Sequence, residues 1–133
     1  MMGRWVGCVR RSQSSTIRFK TNEPLPASGQ DVILDQLAGD FGQLAFLSSA
    51  MRVTMRVMLT GHSDAVGKNT FNLSLSMARA EAVRALLKGR GVNPDLLVVR
   101  GAGPLEPLEA ETSEIVRSAD RRVSFTVEIE EGL

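Results

Sequence analysis

Apolar and polar residues alternate along three segments of the chain, which is the pattern of a strand with one buried face. The clearest segment runs from 51 to 60, where every odd-numbered residue is apolar. The same alternation returns at 122–130, and a shorter version occurs at 16–20 around Ile17 and Phe19. We predict a strand in each of these three segments.

Two longer segments carry apolar residues at the three-to-four-residue spacing of an amphipathic helix. The first spans 28–46 and begins with Ser28 and Asp31, residues that favour a helix N-terminus. The second spans 71–88 and is followed by glycines and a proline, which end helices. We predict one helix in each segment.

The rest of the C-terminal half completes the predicted architecture. An apolar run at 96–99 predicts a fourth strand, prolines and glycines interrupt 101–107, and the acidic stretch 106–114 is either a weak helix or a loop. The order is therefore β-α-β-α-β, then this loop or helix, then β. Because each amphipathic helix must cover an apolar sheet surface, we predict the α+β class, with a mixed β-sheet and helices packed on one face.

Length and charge narrow the functional classes. At 133 residues the chain is long enough for one ordinary domain. Sixteen Lys and Arg against fifteen Asp and Glu leave a net charge of +1, which argues against nucleic acid or anionic lipid as a partner. No run approaches the ~20 apolar residues of a membrane-spanning helix, so we expect membrane association only through missing upstream segments.

The N-terminal segment is basic and carries the chain's single cysteine. Five Lys and Arg precede the first acid, Glu23, and Cys8 has no second cysteine with which to form an internal disulfide. We expect residues 1–14 to be a flexible leader, either an artificial remnant or the stub of a longer protein whose export or membrane segment is missing. The domain itself is predicted to cover 15–133.

The candidate site joins one acid to two arginines. Asp64 comes just after the predicted 51–60 strand, and Arg79 lies with Asn72 on the apolar stripe of the helix that follows. Arg121 has the same parity as the apolar face of the last strand. Because an unpaired buried charge is costly, arginines that face inward need an acidic or ligand partner.

Two interpretations of these charges stay open. In the first, the groups surround a cleft in which Asp64 receives an ammonium while Arg79 and Arg121 receive a carboxylate. In the second, Asp64 and Arg79 form an internal salt bridge that fixes the loop to the helix, and Arg121 lies exposed at the sheet edge. Spacing alone favours neither interpretation.

Catalytic and cofactor chemistry is not indicated. His62 is the only histidine, and without a neighbouring cysteine or second histidine it predicts no zinc site. His62, Ser63 and Asp64 are adjacent, so they do not converge as the base, nucleophile and acid of a triad. The glycines of 61–67 and 101–103 lack the flanking residues of nucleotide-binding loops. We therefore predict no enzyme, no metal and no cofactor.

Four motifs, taken in order, resemble the OmpA-like peptidoglycan-binding domain shared by OmpA, Pal and MotB. They are Gly61-His62-Ser63-Asp64-Ala65-Val66-Gly67, the helical segment from Asn72 to Val83, the turn from Gly101 to Pro107, and Asp120-Arg121-Arg122-Val123. The resemblance covers about residues 16–130. It implies a wall-binding domain without a cofactor.

The resemblance also implies a role for each site residue. Asp64 and Arg79 take the positions that hold the diaminopimelate of the cell-wall stem peptide. Arg121 takes a third position that faces the ligand. Asn72 and Leu75 match further pocket positions.

Two positions depart from the family pattern. Ser63 replaces a threonine, and because it keeps the hydroxyl it stays a predicted ligand-binding residue. Asp120 replaces an asparagine, and its negative charge beside Arg121 either orients that arginine or weakens the capture of a carboxylate.

The implied function is noncovalent binding of peptidoglycan, which anchors an envelope protein to the cell wall. The implied location is the periplasm of a Gram-negative bacterium, as part of a longer membrane-associated protein. An alternative stays open, namely a protein-interaction or dimerisation module of an envelope complex, such as a motor stator or a secretion component. In that alternative the pocket binds nothing and the chain forms a homodimer.

Overall fold

The fold is built around two long neighbouring strands. The computed structural model describes residues 4–10, 16–64, 67–104 and 120–131. In chain order the elements are β1 (Arg4–Arg10), β2 (Ile17–Arg18), α1 (Asp31–Ala50), β3 (Val53–His62), α2 (Asn69–Gly89), β4 (Leu97–Gly103) and β5 (Arg122–Glu131). A short 3-10 turn at Pro94–Leu96 leads into β4.

The strands form one mixed sheet. β3 and β5 are antiparallel neighbours, and β4 runs parallel to β3 on its other side. The outer edge of β5 is shared by two strands, since β2 pairs with Arg122 and Val123 while β1 pairs with the stretch from Thr126 to Glu131. The strand order is β1-β5-β3-β4, with β2 beside β1 on the edge of β5.

Both helices pack on the same face of this sheet. Alternate residues of β3 are buried on that face, and alternate residues of β5 lie on the same side. The rings of Phe41 in α1 and Phe125 in β5 have centroids 5.8 Å apart. The helices complete this core with Leu34, Leu37 and Phe41 from α1 and Ala80, Val83 and Leu87 from α2. The predicted class, α+β with a mixed sheet and helices on one face, is confirmed.

β3 and β4 continue through glycines that we expected to end them. β3 includes Gly61, and β4 includes Gly101 and Gly103. A Cβ atom on Gly61 would overlap the carbonyl oxygen of Ser76, and one on Gly101 would lie 2.9 Å from the Ser76 Oγ. These glycines therefore permit the close approach of α2 to the sheet and do not interrupt the strands.

A strand forms in the segment that we predicted to be a flexible leader. β1 occupies Arg4–Arg10 and pairs with β5. The physical reason is that β2 covers only two residues of β5, which leaves the other backbone groups of that edge in need of hydrogen-bond partners. The flexible-leader prediction is corrected for these residues, while the domain boundary at residue 15 stays a prediction.

Two sequence predictions concern the remaining segments. The acidic stretch 106–114 lies outside the described residues, so its form stays a prediction. Within the ranges that the structure describes, no helix has both the length and the apolar content needed to cross a membrane.

Candidate ligand-binding pocket

The pocket forms where β3 and β4 end side by side. His62 is the last residue of β3, and the backbone N–H of Ser63 donates to the carbonyl oxygen of Gly103 at 2.9 Å. This bond extends the contact between the two chain segments by one residue. It thereby fixes the backbone just before Asp64.

All six residues predicted to bind a ligand line one pocket. The lining consists of Ser63, Asp64, Asn72, Leu75, Arg79 and Arg121, together with Asn22. Asn22 was not predicted. It lies in a turn between β2 and α1 with a φ of 59°, and Asn is typical of such turns, but nothing in its spacing indicated the pocket. The binding role of the six residues stays a prediction.

Asp64 is paired with Arg121. Nη1 of Arg121 lies 2.9 Å from Oδ2 of Asp64, and the two side chains are only 9% and 8% exposed. Nε of Arg121 donates to the carbonyl oxygen of Phe19 at 3.3 Å. The second interpretation of the sequence was therefore wrong in two respects, because this acid pairs with Arg121 rather than Arg79, and Arg121 is buried.

Arg79 is fully buried in the pocket wall. Its guanidinium donates to three backbone carbonyl oxygens, those of Glu23 at 2.9 Å, His62 at 3.0 Å and Lys20 at 2.9 Å. Its Cζ also lies 5.1 Å from the centre of the Phe19 ring, within reach of a cation–π interaction. The apolar stripe of α2 correctly predicted that Arg79 faces inward.

Burial lowers the pKa of Arg79 to about 10, because the charged form loses its hydration. The carboxylate of Asp64 opposes this change, and the positive charge of Arg121 adds to it. A pKa of about 10 leaves the guanidinium protonated at neutral pH. Together, Asp64, Arg79 and Arg121 thus place two positive charges and one negative charge around the pocket.

The pocket is not the open cleft that the first interpretation required. It has about 0 Å³ that a water-sized molecule can occupy, whereas small-molecule sites typically measure about 300–1,000 Å³. The charges also contact one another, since Asp64 and Arg121 form an ion pair. A ligand must replace that contact to reach either group.

The hydroxyl of Ser63 is buried in the same pocket, since only 3% of this residue is exposed. Among the residues that the structure describes, its Oγ has no hydrogen-bond partner. A buried hydroxyl without a partner costs free energy. A ligand that hydrogen-bonded to Ser63 would offset that cost.

Two residues next to the pocket have structural contacts. Nε2 of His62 lies 2.9 Å from Oγ of Ser124, which joins β3 to β5. Oδ1 of Asp120 lies 3.5 Å from Nη1 of Arg122, so the acid in place of the family's asparagine faces Arg122. In the described ranges, no group of three or more His, Cys, Asp or Glu side chains could hold a metal ion.

Comparison with known proteins identifies the family. Residues 38–121, more than half of the chain, match the family model described as OmpA family. The chain belongs to the OmpA family. It is 32% identical over 132 residues to outer membrane protein A of Yersinia pseudotuberculosis, a match that covers 92% of this chain and 35% of that protein. The chain spans about a third of the length of the curated relatives it matches.

Solved structures share the fold of this OmpA-family domain. The cell wall anchor of the T6SS from Pseudomonas aeruginosa is 27% identical, with a TM-score of 0.61 over 84% of this chain and 78% of that chain. The peptidoglycan-associated lipoprotein from Burkholderia pseudomallei is 23% identical, with a TM-score of 0.70 over 84% of this chain and 88% of that chain. At that lower identity the likeness shows the fold alone.

Proposed function

We propose that this chain binds peptidoglycan noncovalently through the diaminopimelate of the stem peptide, and so anchors an envelope protein to the cell wall. Membership of the OmpA family supports the proposal. Two relatives have names that state a role at the wall, the peptidoglycan-associated lipoprotein and the cell wall anchor. The proposed setting is the periplasm of a Gram-negative bacterium, within a longer membrane-associated protein, and the proposed role is binding without turnover.

The observation that carries the proposal is that opposite charges converge on one buried pocket with a hydroxyl that has no hydrogen-bond partner among the described residues. Diaminopimelate has an ammonium and a carboxylate on its free stereocentre. Asp64 accepts hydrogen bonds from the ammonium, and Arg121 donates to the carboxylate. Arg79 supplies positive charge from the pocket wall, and Ser63 offers its hydroxyl.

Binding in this arrangement exchanges one ion pair for two. The ammonium takes the place of Arg121 beside Asp64, and the carboxylate takes the place of Asp64 beside Arg121. Neither buried charge is then left without a partner, a state that costs about 3–5 kcal/mol. Because the pocket has about 0 Å³ that a water-sized molecule can occupy, it has to widen, and the exposed turn at 20–23 is the wall that faces solvent.

A sedimentation assay with purified cell walls tests the proposal. We expect the wild-type chain to be retained by walls containing diaminopimelate and not by walls in which lysine replaces it, since lysine lacks the second carboxylate. Asp64→Ala should abolish retention of the folded protein. Asp95→Ala removes an exposed acid far along the chain from the pocket residues and serves as the matched control.

Two results would contradict the proposal. One is a well-folded wild-type chain that no diaminopimelate wall retains. The other is an Asp64→Ala variant that melts at a much lower temperature while its folded fraction still binds walls normally, because Asp64 would then have a structural role only.

A second candidate function is the protein-interaction or dimerisation module. The small size of the pocket and the ion pair between its own residues Asp64 and Arg121 favour it. It is also supported by apolar side chains exposed at the C-terminal end of α1, where Phe46 is 74% exposed, Leu47 52% and Met51 71%. This candidate predicts a dimer in analytical ultracentrifugation that Phe46→Ser dissociates. A monomer at all concentrations, with wall binding intact, would exclude the homodimer.

A further inference from the structure

A groove runs between α2 and the outer edge of β4. It has about 560 Å³ that a water-sized molecule can occupy, unlike the closed ligand pocket, and the two sites share no lining residue. The walls of the groove include Glu81, Arg84 and Lys88 of α2 and Leu97, Val98 and Val99 of β4.

β4 is an edge strand. Among the described residues its only strand partner is β3, which lies on one side of it. The carbonyl oxygen of Leu97 accepts from Nε of Arg84 at 3.0 Å, so this carbonyl points away from β3. Because a strand repeats every second residue, the backbone groups of Val99 and Gly101 point the same way. Such an edge can pair with a further strand.

Arg84 covers the beginning of this edge. Besides its bond to Leu97, the guanidinium donates from Nη2 to the carbonyl oxygen of Pro94 at 2.8 Å. It thus occupies the acceptor that a partner strand would use at Leu97. The part of the edge that can pair with another strand therefore begins at Val99.

Apolar side chains of α2 flank the far end of this edge. A Cβ atom on Gly101 would lie 3.0 Å from the backbone nitrogen of Met77, and one on Gly103 would lie 3.3 Å from Cα of Leu73. Met77 is 37% exposed and Leu73 46% exposed, and they are one helical turn apart. A strand added here would bury apolar side chains against both residues.

The near end of the groove is positive. Lys88 is exposed in the last turn of α2, and Arg84 lies one turn before it. Glu81 is the single acid that lines the groove, against these two basic residues. Charge complementarity therefore favours a partner with carboxylates at this end.

We propose that the edge of β4 binds an extended segment of another protein, which pairs antiparallel to β4 from Val99 onward. The segment has apolar side chains toward Met77 and Leu73, and acidic side chains at its C-terminal end, next to Lys88. This is a second binding surface, on a different side of the molecule from the pocket proposed to bind the wall.

A second copy of the chain fits this edge less well. Glu81 lies on α2 between Met77, at the level of Gly101, and Arg84, at the level of Leu97. A two-fold axis at Val99 would place two copies of Glu81 together, and an axis at Arg100 would pair two arginines. An axis further along would fall on the irregular pairing around Ala102.

The test uses the full chain and three short synthetic peptides at low salt. In the first peptide Val and Thr alternate and the last residues are Glu. The second has the same side chains but is N-methylated at alternate residues, so it cannot complete a strand pairing. The third ends in Lys in place of Glu. We expect the Glu peptide to bind, and N-methylation to weaken it about tenfold or more, the value of two net hydrogen bonds.

Charge reversal tests the assigned direction. Lys88→Glu should weaken the Glu peptide about threefold to tenfold and strengthen the Lys peptide by a similar factor. Lys68→Glu is the matched control, because Lys68 is also exposed and caps the opposite end of α2, about 30 Å away. It should leave both affinities unchanged.

Amide hydrogen exchange locates the bound peptide. The Glu peptide should slow exchange at Val99 and Gly101 at least tenfold, and should leave exchange at Ser63 and Asp64 unchanged. Wall retention of Lys88→Glu should equal that of the wild type, so this inference and the proposed function can fail separately.

Four results would overturn the inference. They are no binding of the Glu peptide, equal binding of its N-methylated form, a loss of affinity in Lys68→Glu as large as in Lys88→Glu, or slowed exchange outside the edge of β4 only. Slowed exchange at Val99 that depends on protein concentration without any peptide would assign the edge to a second copy instead.

Discussion

Two Arg–Asp ion pairs of nearly equal length lie in different surroundings. Arg121 and Asp64 are 2.9 Å apart in the pocket, with side chains 9% and 8% exposed. Arg90 and Asp35 are 2.7 Å apart on the surface between the two helices, with side chains 24% and 69% exposed. Distance alone would make the surface pair the stronger interaction. Burial reverses the ranking, because water competes for the surface charges and not for the buried ones.

The difference has a functional meaning. Loss of one partner on the surface leaves a charge that water hydrates, whereas loss of one partner in the pocket leaves a buried charge that has lost its ion pair and that water reaches poorly. The pocket pair is therefore a site where a substitute ion of the right sign is strongly favoured. That property is what a zwitterionic ligand would exploit.

The largest expected effect comes from removing the arginine that holds the pocket wall. Arg79→Ala removes one donor from each of three carbonyl oxygens and leaves a cavity beneath α2, so we expect a loss of about 3–5 kcal/mol in the free energy of unfolding. Urea denaturation followed by circular dichroism measures it. Arg90→Ala is the control and should cost less than about 1 kcal/mol. A loss below that value for Arg79→Ala would show that its buried bonds stabilise little.

The comparison itself is tested by double-mutant cycles on the two pairs. Alanine substitutions at Asp64 and Arg121 should give a coupling free energy of about 2 kcal/mol or more, because water screens this buried pair poorly. The cycle at Asp35 and Arg90 should give about 0.2–1 kcal/mol. In about 1 M NaCl, where the Debye length is about 3 Å, only the surface value should fall toward zero. Equal couplings would refute the distinction drawn from burial.

The smallest expected effect concerns the pocket hydroxyl. Ser63→Ala removes a buried group that lacks a partner among the described residues, so the free energy of unfolding should change by less than about 0.5 kcal/mol. Wall or stem-peptide binding should weaken about twofold to tenfold. Ser74→Ala, an exposed serine on α2, is the control for both measurements. A clear loss of stability without loss of binding would assign Ser63 a structural role.

Hydrophobic patterning predicted the elements well because burial repeats with the period of each element. The alternation at 51–60 identified the buried face of β3, and the stripe on α2 identified Arg79 as inward-facing. The same method missed β1, since strand Arg4–Arg10 depends on an edge of β5 that needs partners and not on its own apolar period.

The partners within the pocket could not be predicted from spacing. Arg79 and Arg121 both lie on faces directed toward Asp64, and only the three-dimensional reach of each side chain decides that Arg121 takes the carboxylate. Arg79 is instead satisfied by backbone carbonyls, which every residue carries and which therefore leave no signature in a sequence. The contribution of Asn22 was missed for a related reason, because turn residues are placed by the elements around them.

The absence of side chains at Gly61 and Gly101 limits how the pocket could widen for a ligand. The backbone of α2 lies very close to the sheet at both glycines, and the carbonyl of Ser76 lies directly above Gly61. Helix α2 therefore cannot move further toward the sheet. Any enlargement of the cavity must then come from outward displacement of the opposite rim. A ligand of the proposed kind would then enter from that rim, because these two glycines hold α2 close against the sheet.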